Sequence, residues 1–170
     1  RDWSSDVCSS DLPDEAAMRM QELPATLGNA DSRYGWAEIA HLSARSHHPR
    51  AVEWYRLAGD GPFTEGQLQW MVRAALRAGD WGLVRAAVNQ MPPLEARDPA
   101  WQYWLGRALR AEGATDAARS VLLPLARERH FYGLLAAEDL GLQRTYLTKL
   151  LRQKQISGHP PKTDDPAAPH

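Results

Sequence analysis

A block of residues returns along this chain every 33 to 34 positions, and that period restricts its fold more than any other feature. Gln69 and the run Ala75-Leu76-Arg77-Ala78 come back 33 residues later as Gln102 and Ala108-Leu109-Arg110-Ala111. Moving 34 residues toward the N-terminus, Trp36, Ala40, Leu42 and Ala44 stand where Trp70, Ala74, Leu76 and Ala78 stand. A period of this length with two helices per unit marks tetratricopeptide-like and related helical arrays. Three units are visible, at about 32–59, 64–91 and 98–129. One such hairpin is too small to bury its own apolar stripe, so neighbours must stack into a shared core. Three units lie near the minimum for stability, and no obvious polar cap closes either end. The expected object is a piece of a longer array.

The helices inside each unit are marked by spacing and by their ends. Leu68, Met71, Val72, Ala75 and Leu76 follow i, i+3, i+4, i+7, i+8, the stripe of an amphipathic helix. Thr64 with Gln67 has the form of a capping box at its start, and Gly79 predicts its stop. Asp80 is placed to cap a following helix that buries Trp81, Val84, Val88 and Met91 before Pro92-Pro93. Asp98-Pro99 opens the next helix as cap then proline, with Trp101, Trp104, Leu105, Ala108 and Leu109 as its stripe. Gly113 predicts its end. Thr115 is expected to cap the last helix of the unit, whose inner face is Ala118, Val121, Leu122 and Leu125, and Pro124 predicts a kink or break there. No segment alternates with a period of two. The fold class is all-α: an α-superhelix of antiparallel helix hairpins.

The two ends differ from this body, residues 13–129. Residues 1–12, which hold Trp3 and the single cysteine Cys8, have no helical period and resemble a translated sequencing adapter. Residues 130–141 begin a separate short helical segment. Beyond it, in 142–170, lie all three lysines (Lys149, Lys154, Lys162) and four of the twelve prolines (Pro160, Pro161, Pro166, Pro169), and the stretch from 157 is expected to be disordered. With 20 Lys+Arg against 21 Asp+Glu, the net charge of −1 argues against a nucleic-acid partner. No apolar run approaches the ~20 residues that span a bilayer, and no export signal opens the sequence. One cysteine excludes an internal disulfide framework and multi-cysteine zinc sites.

No residue pattern in the chain reads as a catalytic constellation. His47-His48 are adjacent and therefore face apart on a helix, which fits a helix end or loop better than a ligand set; His41 is their nearest companion. His130 is expected to pack or cap, and Glu138-Asp139 do not face one substrate from opposite sides, as glycosidic cleavage by two carboxyl groups requires. Nucleophile-elbow, phosphate-loop and zinc-protease signatures do not occur. No catalytic, cofactor-binding or metal-ligating residue is assigned, and no cofactor is expected. Of the tryptophans, Trp36, Trp54, Trp81, Trp101 and Trp104 fall on apolar stripes and are expected to pack. Trp70 sits one position off its stripe, toward a neighbouring hairpin or a groove. Between Gly28 and Gly141 thirteen arginines balance thirteen acidic residues, with Arg73 and Arg77 expected on one exposed face.

Four stretches carry a family resemblance. Trp54-Tyr55-Arg56-Leu57-Ala58-Gly59-Asp60, Arg73 through Trp81, Tyr103-Trp104 with Arg107-Ala108-Leu109, and His130-Phe131-Tyr132-Gly133-Leu134-Leu135-Ala136-Ala137-Glu138 resemble elements of soluble lytic murein transglycosylases, in their order and at about their spacing. The last stretch is the most specific, and the resemblance spans roughly 30–141. It implies the end of that family's superhelical domain and the start of its linker domain. It also implies a periplasmic location, peptidoglycan as partner, and cleavage between N-acetylmuramic acid and N-acetylglucosamine to leave a 1,6-anhydromuramyl end. The family's catalytic Glu-Ser pair does not occur, because no glutamate in this chain precedes a serine. The expectation is therefore a fragment that scaffolds murein and a missing catalytic domain. The alternative is a stand-alone α-solenoid adaptor for a protein or peptide.

Overall fold

The computed structural model describes residues 12–23 and 28–142. The expectations for Trp3, Cys8 and the lysine- and proline-bearing tail fall outside those residues. Within them the protein is all-helical: α1 (Leu12–Glu22), α2 (Asn29–Arg45), α3 (Ala51–Ala58), α4 (Glu65–Ala78), α5 (Trp81–Gln90), α6 (Pro93–Ala96), α7 (Pro99–Ala111), α8 (Thr115–Leu125) and α9 (Phe131–Asp139). The three repeat units are the pairs α2–α3, α4–α5 and α7–α8. Helix α1, which begins at Leu12, and the single turn α6 have no counterpart in the sequence reading. Both lie outside the repeat and carry too few stripe positions to announce themselves.

Helix ends follow local side-chain chemistry. The Thr64 hydroxyl accepts from Gln67 N at 3.3 Å while Thr64 N donates to Gln67 Oε1 at 2.8 Å, so the box is reciprocal. Gly79 takes φ 69°, which lets Asp80 N reach back to Ala75 O at 2.9 Å. Asp80 Oδ1 then accepts from Leu83 N at 3.1 Å and Asp98 Oδ1 from Ala100 N at 2.8 Å, each filling an otherwise orphaned donor. Thr115 is a correction. The residue before α8 is Ala114, with no side-chain cap, and Thr115 is the first helical residue. Gly113 at φ 83° brings Ala114 N onto Leu109 O, so the turn closes one residue earlier than a Thr115 cap requires. Pro124 lies in the final turn of α8, which stops one residue later.

Packing runs from each hairpin to the next. Helix α4 contacts both α2 and α3, α5 contacts α7, and α9 closes against α7 and α8, while α1 lies along α2. One core extends from Ala17 through Ala108 and a second joins Tyr103, Leu122, Leu125, Ala126, Ala136 and Ala137. Trp104, half-buried, touches both and links them. Trp36, Trp54 and Trp101 are buried and Trp81 is half-buried against the same core. Ala37, Ala40, Ala44, Ala74, Ala75 and Ala108 are buried and belong to the main core. The buried Tyr55 hydroxyl donates to Gln67 O at 3.0 Å, tying the first hairpin to the start of the second.

Two glycines are set by such close approaches. A Cβ on Gly106 would strike the Leu122 side chain, a flexible neighbour. On Gly133 it would fall 2.9 Å from Leu125 O and closer still to Glu128 O, both backbone. Gly133→Ala is therefore expected to cost about 1–3 kcal/mol by urea unfolding, because backbone yields less readily than a side chain. Gly66→Ala, in α4 with open space around it, is expected to be neutral or stabilising by up to about 1 kcal/mol. An equal loss in both variants would remove the packing account of Gly133.

Candidate functional site

The functional candidates lie along α4 and α7, where the hairpins meet. Trp70 is half-buried and packs against the main core from its off-stripe position. Arg73, one turn further along α4, places its guanidinium carbon 5.2 Å from the Trp70 ring centroid and 5.3 Å from that of Trp101 on α7. The cation thus bridges two hairpins through two aromatic faces, an arrangement favoured by the ring quadrupole and by arginine's weak hydration. One helical unit on, Arg107 lies 5.9 Å from both the Trp81 and Tyr103 rings and donates to the Tyr103 hydroxyl at 3.1 Å. Burial pushes the Tyr103 phenol up, opposed by the Arg107 hydrogen bond. That same bond, ahead of the Asp139 charge, raises Arg107.

The repeat-equivalent pair Arg77 and Arg110 has a different role. Arg77 Nη2 donates to Ala44 O at 2.9 Å, near the C-terminus of α2, and Arg110 Nη1 donates to Asp139 O at 2.8 Å, at the C-terminus of α9. Each supplies a cation and a donor to the negative end of a neighbouring helix, where the last carbonyls lack intrahelical partners. Arg73 and Arg77 are consequently not a free pair on one solvated face. Arg73 is half-buried between rings, and Arg77, though exposed, is committed to a carbonyl.

The histidines resolve separately. His47 sits in the turn after α2 with φ 63°, and His48 stacks on Trp54 at 4.9 Å while its Nε2 lies 3.3 Å from Asp14 on α1. Arg50 approaches the same Trp54 ring at 5.2 Å and pairs with Asp14 at 2.7 Å, so the two residues pin α1 to the first hairpin. His130 caps α9: its Nδ1 accepts from Gly133 N at 3.0 Å, and Nε2 meets Glu128 at 3.0 Å. Glu138 and Asp139 end α9, with Asp139 turned to Arg107 and Arg110 at 3.6 and 3.7 Å. Among the described residues no group of three histidines, cysteines or carboxylates is placed to hold a metal ion, and no helix is long and apolar enough to cross a membrane.

A surface groove of about 440 Å³ opens where the α5–α7 connection crosses α4, lined by Glu65, Gln69, Leu94, Glu95, Asp98 and Trp101 among others. Gln69 Nε2 donates to Glu95 Oε1 at 2.7 Å across it. Spacing could not show this groove, because it is formed by a connector that lies outside the repeat. The double engagement of Arg73 was equally hidden, although the off-stripe position of Trp70 was a usable signal. No protein-family model matches the chain and no curated protein matches its sequence.

Two outcomes follow from this geometry. Arg73→Ala is expected to lose about 1–2 kcal/mol in urea unfolding, and Arg73→Lys to recover only part of it; full recovery by lysine would mean that charge alone, without stacking, supports the seam. His41 is held below the ordinary histidine range, first by burial and then by Arg45, with Glu38 opposing. The unfolded chain therefore takes up a proton before the folded one, and stability is lost as pH falls below about 6.5. His41→Gln is expected to flatten that decline, measured as Tm between pH 7.5 and 5.0.

Proposed function

We propose that this chain is the helical scaffold of a periplasmic soluble lytic murein transglycosylase, acting as a curved wall that positions the peptidoglycan strand and a separate catalytic domain. The observation that carries it is that the stretches of resemblance occupy the joints between hairpins. Trp54 and Tyr55 are buried in the main core, Arg73 and Arg107 bridge aromatic rings between neighbouring hairpins, and His130 and Gly133 fix α9 against α8. A set of residues chosen to join hairpins serves architecture. In this reading α9 opens the linker domain, and Phe131 and Leu134, 65% and 64% exposed on it, supply apolar surface for a following helical unit.

The scaffold itself supplies no acid for glycosidic cleavage, since the Glu-Ser pair of the family does not occur in it. Incubated with murein sacculi, the purified chain is expected to co-sediment with them and to release no 1,6-anhydromuropeptides, followed by liquid chromatography with mass detection. Release of those products would refute the division of labour. Failure to co-sediment, together with saturable capture of one protein partner, would give the chain an adaptor role instead.

A further inference from the structure

Helix α9 keeps one apolar face open to solvent. Phe131 and Leu134 are exposed on it, and Glu138, also exposed, follows on the same side at i+7 from Phe131. The opposite side, with Gly133, Ala136 and Ala137, is buried where α9 meets α7 and α8. The end of the helix fixes where the chain goes next. Gly141 takes φ 66°, its N–H donates to Glu138 O and that of Leu142 to Ala137 O, both at 2.9 Å. These are the paired bonds of a Schellman stop. Leu142 packs on the second core, so the chain that follows starts beside α9. The charges of α9 have one sign: Glu138 and Asp139, the latter already turned to Arg107 and Arg110.

We propose that the occupant of this face is the chain itself, through residues 143–152. In that segment the apolar residues are Tyr146, Leu147, Leu150 and Leu151, a spacing that predicts one apolar helical face. Ten helical residues reach about 15 Å, enough to run back from Glu138 to Phe131. Its three charges, Arg144, Lys149 and Arg152, are all basic and complement Glu138. The size of the face selects a tethered occupant over a free one. Phe131 and Leu134 offer far less than the roughly 1,200 Å² that a stable interface between separate proteins buries. A free partner also gives up translational and rotational freedom, whereas a segment that begins next to Leu142 acts at an effective concentration on the order of millimolar. Covered in this way, the array ends in a cap with an apolar inner and a polar outer side, as the last unit of a solenoid requires. The assignment goes beyond the scaffold reading and needs no murein, so sacculus binding and this contact stand or fall separately.

The test uses the whole chain, isotope-labelled, by NMR. The Phe131 ring and the Leu134 methyls are expected to show nuclear Overhauser contacts to methyls of Leu147, Leu150 or Leu151. Those contacts are expected to persist on dilution and to be absent between labelled and unlabelled copies. Leu150→Ser is expected to remove them and to raise amide exchange in residues 134–140 at least fivefold, with the amide spectrum of α2 to α7 unchanged. Thr148→Ser, off the apolar positions, is expected to change neither. Glu138→Lys gives a second readout. A lysine near a helix C-terminus ordinarily steadies that end, but here it meets Arg144, Lys149 and Arg152 and is expected to raise exchange. Absent contacts, contacts found only between copies, unchanged exchange in Leu150→Ser, an equal effect of Thr148→Ser, or unchanged or slower exchange in Glu138→Lys would each overturn the proposal.

Discussion

A hairpin of two short helices cannot take its apolar stripe out of water by folding on itself, and every other feature of this protein depends on that constraint. The core is continuous from Ala17 to Ala108 because the second hairpin completes the burial of the first and the third that of the second. Small residues at the seams set how near the helices come. Where the approach is closest, at Gly106 and Gly133, no side chain at all is accommodated without movement of a neighbour.

The same constraint explains what the arginines do. Stacking leaves helix C-termini beside neighbouring helices, and Arg77 and Arg110 donate to carbonyls there, Ala44 O accepting from His47 N as well. It also leaves aromatic faces at the joints, partly open to water, and Arg73 and Arg107 close over these. Balanced composition then has a structural meaning: many of the cations are spent on carbonyls, rings and carboxylates inside the array. What remains for contact with other molecules is local, as in the groove at the α5–α7 connector, where acidic groups outnumber Arg97.

Where the interaction is short in sequence, reading the chain was enough. The Thr64–Gln67 box, the Gly79 stop, the Asp80 and Asp98 caps and the His130 cap each join groups no more than five residues apart, so residue type and spacing carry them. Thr115 shows the limit even there: whether Ala114 or Thr115 begins the helix depends on how Gly113 closes the previous one. Helix α6 and the groove beside it were not legible, since a proline-rich connector has no period to read. Arg77 is exposed as expected, but the partners that engage Arg73 and Arg77, Trp101 and Ala44, were not legible because they lie about thirty residues away.

Sequence alone determined the all-helical class, the positions of the three hairpins and most of their ends, because apolar spacing and capping act within one or two turns of chain. Only the tertiary structure decided which tryptophans share a cation, which partners Arg77 and Arg110 take, that His48 and Arg50 fasten α1, and that a buried carboxylate oxygen of Glu95 has no hydrogen-bond partner among the described residues. Those outcomes turn on which faces of separate hairpins meet, and that is set by how their stripes and small residues pack together in three dimensions.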